Sequence, residues 1–466
     1  MPDFVTLTRD ELERTANPCA GIDGAAEPLT DLGNAHRMLS VFGGSLRFVP
    51  AWGKWLAYDG KRWQVDESNA HVHRSAQRTA RAMMDTVPSA PNRDELFKAA
   101  KRAESVSGMR AMVAMAESAS GIAVGHRDLD AYPYLLNVQN GVLDVRTGEL
   151  HPHSPTLLLT RIANAEWYPG APAPQFHAFL ERVQPDPEVR AFLARLLGLA
   201  VVGKVDEHLL PIMYGNGQNG KTVLLETVIK VLGDHAGVVS RDVLIDHGSA
   251  HPTGTADLFG LRFAVASESD AGAKLAEGTV KSLTGGDRIK ARRMREDFWE
   301  FEPSHLVTLM SNHKPVVRGT DDGIWRRVLL VPFEVKITDA ERVNDLQGKI
   351  AASESAGVLG WLVRGYQEWI TRGLDAPQSV RVATENYRAE SDDIGRFIEQ
   401  TCYLSPAATV PAAELFDRWR RWATAENVPP GTMTAFGTEM GRRGYAVRKT
   451  ATRNMRCGLG LLAEDE

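Results

Sequence analysis

The sequence predicts a multidomain α/β protein: a central phosphate-loop unit, a β plus helical region before it, and a winged-helix-like domain after it. Three observations carry that prediction. A strand-like run, a glycine-rich loop and a helical stripe follow one another between Leu209 and Gly233. Aromatic residues separated by turn residues fill Thr30 to Trp63, and residues 70–125 are rich in Ala, Met, Arg, Lys and Glu. Residues 411–460 then gather Arg418, Arg420, Arg421, Arg442, Arg443, Arg448, Lys449, Arg453 and Arg456 against few acids.

A chain of 466 residues can bury the cores of two or three domains. Its 43% apolar and 24% charged residues are ordinary for a globular protein. No apolar run is long enough to span a membrane, and Met1-Pro2-Asp3 opens no secretory signal. Cys19, Cys402 and Cys457 are scattered, with no C-x-x-C pair, so neither a disulfide framework nor a cysteine zinc site is expected, and a reducing cytoplasm is. The formal charge of −5 excludes an overall basic coat, so any nucleic-acid contact must come from local patches.

In chain order, residues 1–30 mix Pro, Gly, Asp and Ala without periodicity and read as a poorly ordered lead-in. Residues 31–168 read as a β-hairpin and helical pre-domain. Asp31 stands where a helix cap would, and Phe48, Trp52, Trp55, Tyr58 and Trp63 suit small hairpins. Those aromatics serve either a compact β core, the favoured reading, or base stacking. His71 and His73 stand two apart, a spacing helical geometry does not favour for a shared metal, so they are assigned to a solvated surface. Asn140-Gly141 and Thr147-Gly148 look like hairpin turns, and residues 169–174, PGAPAP, read as a linker. The central unit is expected over 175–375 and the C-terminal domain over 385–466.

Within the central unit, Gly215, Gly220, Lys221 and Thr222 fit G-x-x-x-x-G-K-[ST]. Gly215, Asn216, Gly217, Gln218, Asn219 and Gly220 would fold tightly enough for backbone N–H groups to point at phosphate oxygens. Lys221 would place a charge by the β and γ phosphates, and the Thr222 hydroxyl can ligate Mg²⁺. Context favours this over an ordinary Gly-rich turn. Leu209 to Tyr214 suits a buried strand, and Leu225, Val228, Ile229 and Leu232 form a helical stripe that Gly233 can cap. An acid should follow on a second buried strand. Phe263 to Ala266 is that strand, with Ser267, Glu268 and Asp270 at its carboxyl end. Glu268 can hold or polarise an attacking water, and Ser267 can help complete a magnesium shell; the alternative is a strand that simply ends at the surface. Further on, Lys290, Arg292, Arg293 and Arg295 crowd a short turn. Asn312 follows another apolar strand and can orient water. Arg326 and Arg327 precede a last one.

Taken together, these motifs resemble a superfamily 3 helicase, an AAA+ type ring motor, of the phage and plasmid primase-helicase family that includes the poxvirus primase-helicase. The likeness rests on five ordered motifs: the phosphate loop, Glu268, the stretch Lys281–Arg292, Asn312, and the arginine before the final strand. NVQNGVLDVRTGEL and EWYPG resemble the family's pre-domain, and residues 383–398 its passage into the C-terminal tail. The resemblance implies ATP and Mg²⁺ as ligands, with Asn312 as the sensor and Arg327, or alternatively Arg326, as an arginine finger. It also implies a hairpin with Arg293 and Arg295 in a ring channel, a homo-hexamer, single-stranded or forked DNA as substrate, and a separate primase or polymerase as partner. A phage or plasmid element in a bacterial cytoplasm is the expected source. Two departures stand out: Ser267 occupies the first of two acidic positions, and the basic residues at the hairpin tip are not reproduced one for one.

Residues 411–460 suit a winged helix whose Arg442, Arg443, Arg448 and Lys449 touch DNA, or else a solvated lid on the motor. Asp128-Leu129-Asp130 is the D-x-D of the chain and follows Arg127 rather than an apolar run. It reads as a loop or cap, so primer synthesis is not expected. The function expected is ATP-dependent DNA unwinding in replication. An ATP-gated DNA-binding loader and, far behind, a small-molecule kinase are the alternatives.

Overall fold

A computed structural model describes residue 19 and residues 24–246, 253–268, 270–292, 299–317, 322–451 and 453–463. Helix α1 (Asp31–Phe42) is capped by the Thr30 hydroxyl, which accepts from the Gly33 N–H, rather than by Asp31. Strands β1 (Leu46–Val49), β2 (Lys54–Tyr58) and β3 (Trp63–Val65) then form an antiparallel sheet. Trp55 and Trp63, each 1% exposed, make core, with Phe48 and Tyr58 partly buried against it and Trp52 exposed, and the Arg47 guanidinium lies 4.8 Å over the Trp63 ring. Helices α2 (Ala70–Thr86), α3 (Arg93–Ala103) and α4 (Val106–Ala116) pack around α1 through Val72, Ala76, Met83, Ala100 and Met112. Asp128 and Asp130 serve turns, accepting from Gly125 N–H and from Thr160.

Strands β4 (Leu135–Val138), β5 (Gly141–Asp144) and β6 (Glu149–His151) make a second antiparallel sheet with turns where Asn-Gly and Thr-Gly predict them. Its inner residues Leu136, Val138, Leu143 and Val145 share a core with helices α5 (Pro174–Val183) and α6 (Pro187–Gly198), so the core does not divide at residue 168. In the PGAPAP stretch Pro169, Gly170, Pro172 and Pro174 are exposed, Ala173 is buried, and the helix it leads into is anchored. Both carboxylate oxygens of Glu354 accept, at 2.9 Å each, from the Gln175 and Phe176 N–H groups that open α5. Buried helix N-termini need such acceptors, and this one anchors the stretch.

The central sheet is five-stranded and wholly parallel. Its strands are β7 (Leu210–Tyr214), β8 (Ala236–Val238), β9 (Phe263–Glu268), β12 (Leu306–Ser311) and β13 (Val328–Pro332), in the spatial order β13-β7-β12-β9-β8. Between them run α7 (Lys221–Leu232), the short α8 (Thr253–Ala256), α9 (Glu277–Thr284), a ribbon of β10 (Ile289–Ala291) and β11 (Trp299–Phe301), and the short α10 (Asp322–Trp325). Both faces are covered, which is why the strands read as continuous apolar runs. Met213, Phe263, Val265 and Val331 face α7 and the long helix α11 (Leu346–Arg372). Ile212, Ala264, Ala266, Leu309 and Leu330 face the other way, onto α9, Trp325 and Tyr387 of α12 (Gln378–Glu390).

The C-terminal domain follows as α13 (Asp393–Thr401), β14 (Cys402–Pro411), α14 (Ala412–Ala425), α15 (Met433–Arg442), β15 (Val447–Lys449) and β16 (Asn454–Leu461). Its sheet is antiparallel in the order β14-β16-β15, and Phe397, Leu415, Trp419, Phe436 and Met440 fill its core.

Candidate nucleotide site and nucleic-acid surfaces

The phosphate loop joins the carboxyl end of β7 to the first turn of α7. Gly220 is the N-cap with φ +84°, and a Cβ there would lie 2.5 Å from the Val183 Cγ1. Glycine is required twice over, by backbone conformation and by the approach of α5. Asn219 fixes the loop against the final strand, donating its amide to the Phe333 carbonyl at 3.0 Å. Lys221 is 3% exposed and donates to the Gly215 carbonyl, to Asn219 Oδ1 at 3.1 Å and to Asn312 Oδ1 at 3.3 Å. All three acceptors are neutral, so burial is uncompensated and pushes the ammonium down to about 8.

Strand register sorts the acids. Met310 pairs with Ser267 and Ser311 with Glu268, and side chains alternate across a strand. The exposed Thr222 hydroxyl donates to Met310 Sδ at 3.4 Å, which sets Thr222, Met310 and Ser267 on the α7 side of the sheet. Glu268 turns to the opposite face and is 2% exposed. There it meets Arg241, from the turn after β8, whose Nη1 lies 3.1 Å from Glu268 Oε1 and 2.7 Å from Asp270 Oδ2. The Asp270 N–H donates to Glu268 Oε1 at 2.6 Å. Sequence reasoning missed Arg241: no motif marks it, and only the β8–β9 pairing brings it to the acid.

Asn312 lies just beyond β12, the strand inserted between the phosphate-loop strand and the acidic strand, and this position lets it touch Lys221. The two arginines behave differently from the expectation that favoured Arg327. Arg327 is 7% exposed, donating to Thr284 Oγ1 at 3.1 Å and to the Gly323 carbonyl at 2.6 Å, so it braces α9 against the turn before β13. Arg326 is the exposed member. Asp322, a candidate partner for both, instead pairs with Arg388 at 2.5 Å; Asp321 lies outside the described residues.

The basic turn is a hairpin: β10 and β11 pair with Lys290 opposite Glu300, and Lys290 and Arg292 are exposed at its outer part. Arg293 and Arg295 lie outside the described residues. In the C-terminal domain Arg448 and Lys449 stand fully exposed on β15 with Arg453 beyond them. Arg442 is exposed and paired with Glu439 at 3.0 Å. Arg443 is not a surface contact. It bonds Asp392 at 2.5 and 2.9 Å and Glu439 at 2.9 Å, because it closes α15 onto the start of α13. Arg456 is likewise internal, donating to the Tyr445 and Gly437 carbonyls.

Among the described residues no helix is long and apolar enough to cross a membrane, and no group of three or more His, Cys, Asp or Glu could hold a metal. A family profile described as "D5 N terminal like" matches residues 35–185, and one described as a family of unknown function matches residues 213–327. A protein of Acanthamoeba polyphaga mimivirus named as a helicase is 26% identical over 64% of this chain and 33% of its own length. One of Frog virus 3, also named as a helicase, is 28% identical over 56% of this chain and 29% of its own. One of African swine fever virus, named as a primase, is 26% identical over 64% and 34%. The chain thus spans about a third of the length of the curated relatives it matches. Among solved structures, the apo C-terminal region of NrS-1 is 10% identical, with 89% of this chain and 95% of that one covered at a TM-score of 0.48. With a D5 N-terminal-like segment leading into the parallel sheet, and relatives of this kind in large DNA viruses, the chain is similar to the D5-like primase-helicases.

Proposed function

We propose that this chain is the motor of a replicative DNA helicase: an AAA+ type, superfamily 3 ATPase that couples ATP hydrolysis to movement along DNA and acts as a ring. The observation that carries the reading is the contact of Lys221 with Asn312, at 3.3 Å, on the strand that separates the phosphate loop from Glu268. Neighbouring strands lie about 4.8 Å apart, so loop, sensor and acid stand within reach of one γ-phosphate. Lys221 offers charge to the transferring phosphoryl group, Asn312 holds the water or the γ-oxygens, and Glu268 takes up the water's proton once Arg241 releases it. The Thr222 and Ser267 hydroxyls share one sheet face, while Glu268 and Asp270 are tied to Arg241. That donor set fits a magnesium ion held chiefly by phosphates and water, which would supply charge neutralisation between the β and γ oxygens.

Arg326 takes the finger role in this reading. It precedes β13, and Val328 pairs with Leu210 at the amino end of the phosphate-loop strand, four residues before Tyr214. At about 3.3 Å per residue that end is roughly 13 Å from the nucleotide, too far for the chain's own site and suited to a neighbour's. The helix–strand–helix–helix–strand–strand order of the C-terminal domain supports a winged helix with Arg448 and Lys449 on its wing.

Unwinding of forked DNA with ATP, measured beside ATPase with and without single strands, tests the reading. Wild type is expected to unwind, and Lys221→Ala to lose turnover by about two to three orders of magnitude while staying folded. Unchanged turnover in folded Lys221→Ala ends the nucleotide reading. DNA-stimulated ATPase without unwinding replaces the helicase with an ATP-gated loader.

A further inference from the structure

The N-terminal helical region carries a basic face that neither the nucleotide site nor the C-terminal domain uses. On α2, Arg74, Arg78 and Arg81 recur at i, i+4 and i+7 and are all exposed, while Val72, Ala76, Thr79, Ala80 and Met83 take the buried side. Their positions fall within one narrow arc of the helix, spread over about 10.5 Å of axis. Arg81 approaches Glu104 at 3.5 Å with both side chains well exposed, a weak pair in water. Among the described residues no hydrogen bond or ion pair joins Arg74 or Arg78 to an acid. On the adjoining α3, Lys98 and Lys101 are exposed as well.

Like charges three and four residues apart destabilise a helix, and this chain is acidic overall, with acids in plenty to interleave. A local rule broken in this way marks a face kept for a partner. The partner must be a regular polyanion. A row of exposed guanidiniums, each able to fork onto a phosphate, complements a phosphodiester backbone better than scattered carboxylates on a folded protein. We infer that the α2 face is a sequence-independent grip on the backbone of DNA, separate from the hairpin and the C-terminal wing, that guides the strand or duplex to or from the motor. This rests on the DNA-motor reading above and adds a place of contact to it.

The test replaces Arg74, Arg78 and Arg81 together by Gln in the full chain. A second variant carries Lys at all three positions. Binding is followed by anisotropy of fluorescein-labelled oligo-dT, of the same strand annealed to its complement, and of a fork of the two, each across a salt series. Loss of three phosphate contacts is expected to lower the slope of log affinity against log salt by about 2 to 3, and the Lys variant to restore most of it. ATPase without DNA should not change, since none of the three lies near the phosphate loop. The probe with the largest change tells whether strand, duplex or junction is held. An unchanged slope on all three probes overturns the inference in favour of an acidic protein partner. A Lys variant as weak as the Gln one overturns the charge argument. Wild-type protein that binds none of the probes overturns the DNA-motor reading itself.

Discussion

Lys221 should make nucleotide affinity depend on pH in a range where nucleotides themselves no longer titrate. In the free protein its ammonium is buried among neutral oxygens and is pushed down to about 8. Phosphate oxyanions select the protonated form and return it toward the ordinary lysine range, about 10.4. Affinity then falls as pH rises through 8, by a factor of about 1.1 at pH 7 and about 11 at pH 9, a tenfold difference or about 1.4 kcal/mol. Fold stability without nucleotide runs the other way. The folded value lies below the unfolded one, so unfolding takes up a proton between the two, and stability rises from about pH 8 to about pH 10.5. Calorimetric titration of ADP in buffers of different ionisation enthalpy reads both affinity and proton uptake, which should approach one proton per nucleotide at the alkaline end. Lys221→Arg keeps its charge throughout and should flatten the profile. Equal affinity at pH 7 and pH 9 with no proton uptake would show that the lysine is not placed against phosphate.

Two further outcomes follow from the arginines. Arg241→Ala frees Glu268 from its ion pair, so DNA-independent ATPase should rise several-fold; a fall would mean that Arg241 orients the acid rather than restraining it. Arg327→Ala removes the donor to the Gly323 carbonyl and one of the two bonds of the Thr284 hydroxyl, which keeps its bond to the Val280 carbonyl, and should cost about 1–3 kcal/mol in urea unfolding, whereas Arg326→Ala should leave stability alone. Mixed with Glu268→Ala protein, Arg326→Ala should regain part of its ATPase, because some interfaces then pair an intact acid with an intact finger; demonstrated co-assembly without recovery would rule out action in trans.

The sequence made the phosphate loop legible because its chemistry is local: Gly220, Lys221 and Thr222 are neighbours in the chain and need only a strand before and a helix after. The apolar runs of β9, β12 and β13 were legible for the same reason, as was the aromatic core of the first sheet. What failed were judgements that depend on which surface a residue meets. PGAPAP carries linker composition, yet Glu354, nearly 180 residues away, caps the helix it leads into. Arg443 reads as one more basic surface residue, and only the return of α15 onto Asp392 makes it internal. Arg326 and Arg327 are adjacent and chemically identical. Which one faces solvent is set by the pleat of a strand that starts one residue later, and a slip of one position exchanges them.

That pleat bears on why the proposed motor would act as a ring rather than as a single chain. The parallel sheet has a phosphate-loop end, where Tyr214, Glu268 and Ser311 stand in register, and an opposite end, where Val328, two residues after Arg326, pairs with Leu210. A bend or lid cannot bring the two together, because β13 and β7 are hydrogen-bonded neighbours along their whole length. In the proposed ring, a second copy packed head to tail would present its Arg326 end to the first copy's phosphate-loop end. Helix α12 ties both ends to the C-terminal domain. Tyr387 donates to the Pro315 carbonyl, three residues after Asn312, and stacks edge-on with Trp325 at 5.2 Å, while Arg388 holds Asp322 in the turn before Arg326. Lys314, two residues after Asn312, reaches Glu390 at 2.5 Å, just before the chain enters α13. In the proposed ring, a pull on the C-terminal domain by DNA would therefore act through α12 on Asn312 of one subunit and on the Arg326 offered to the next.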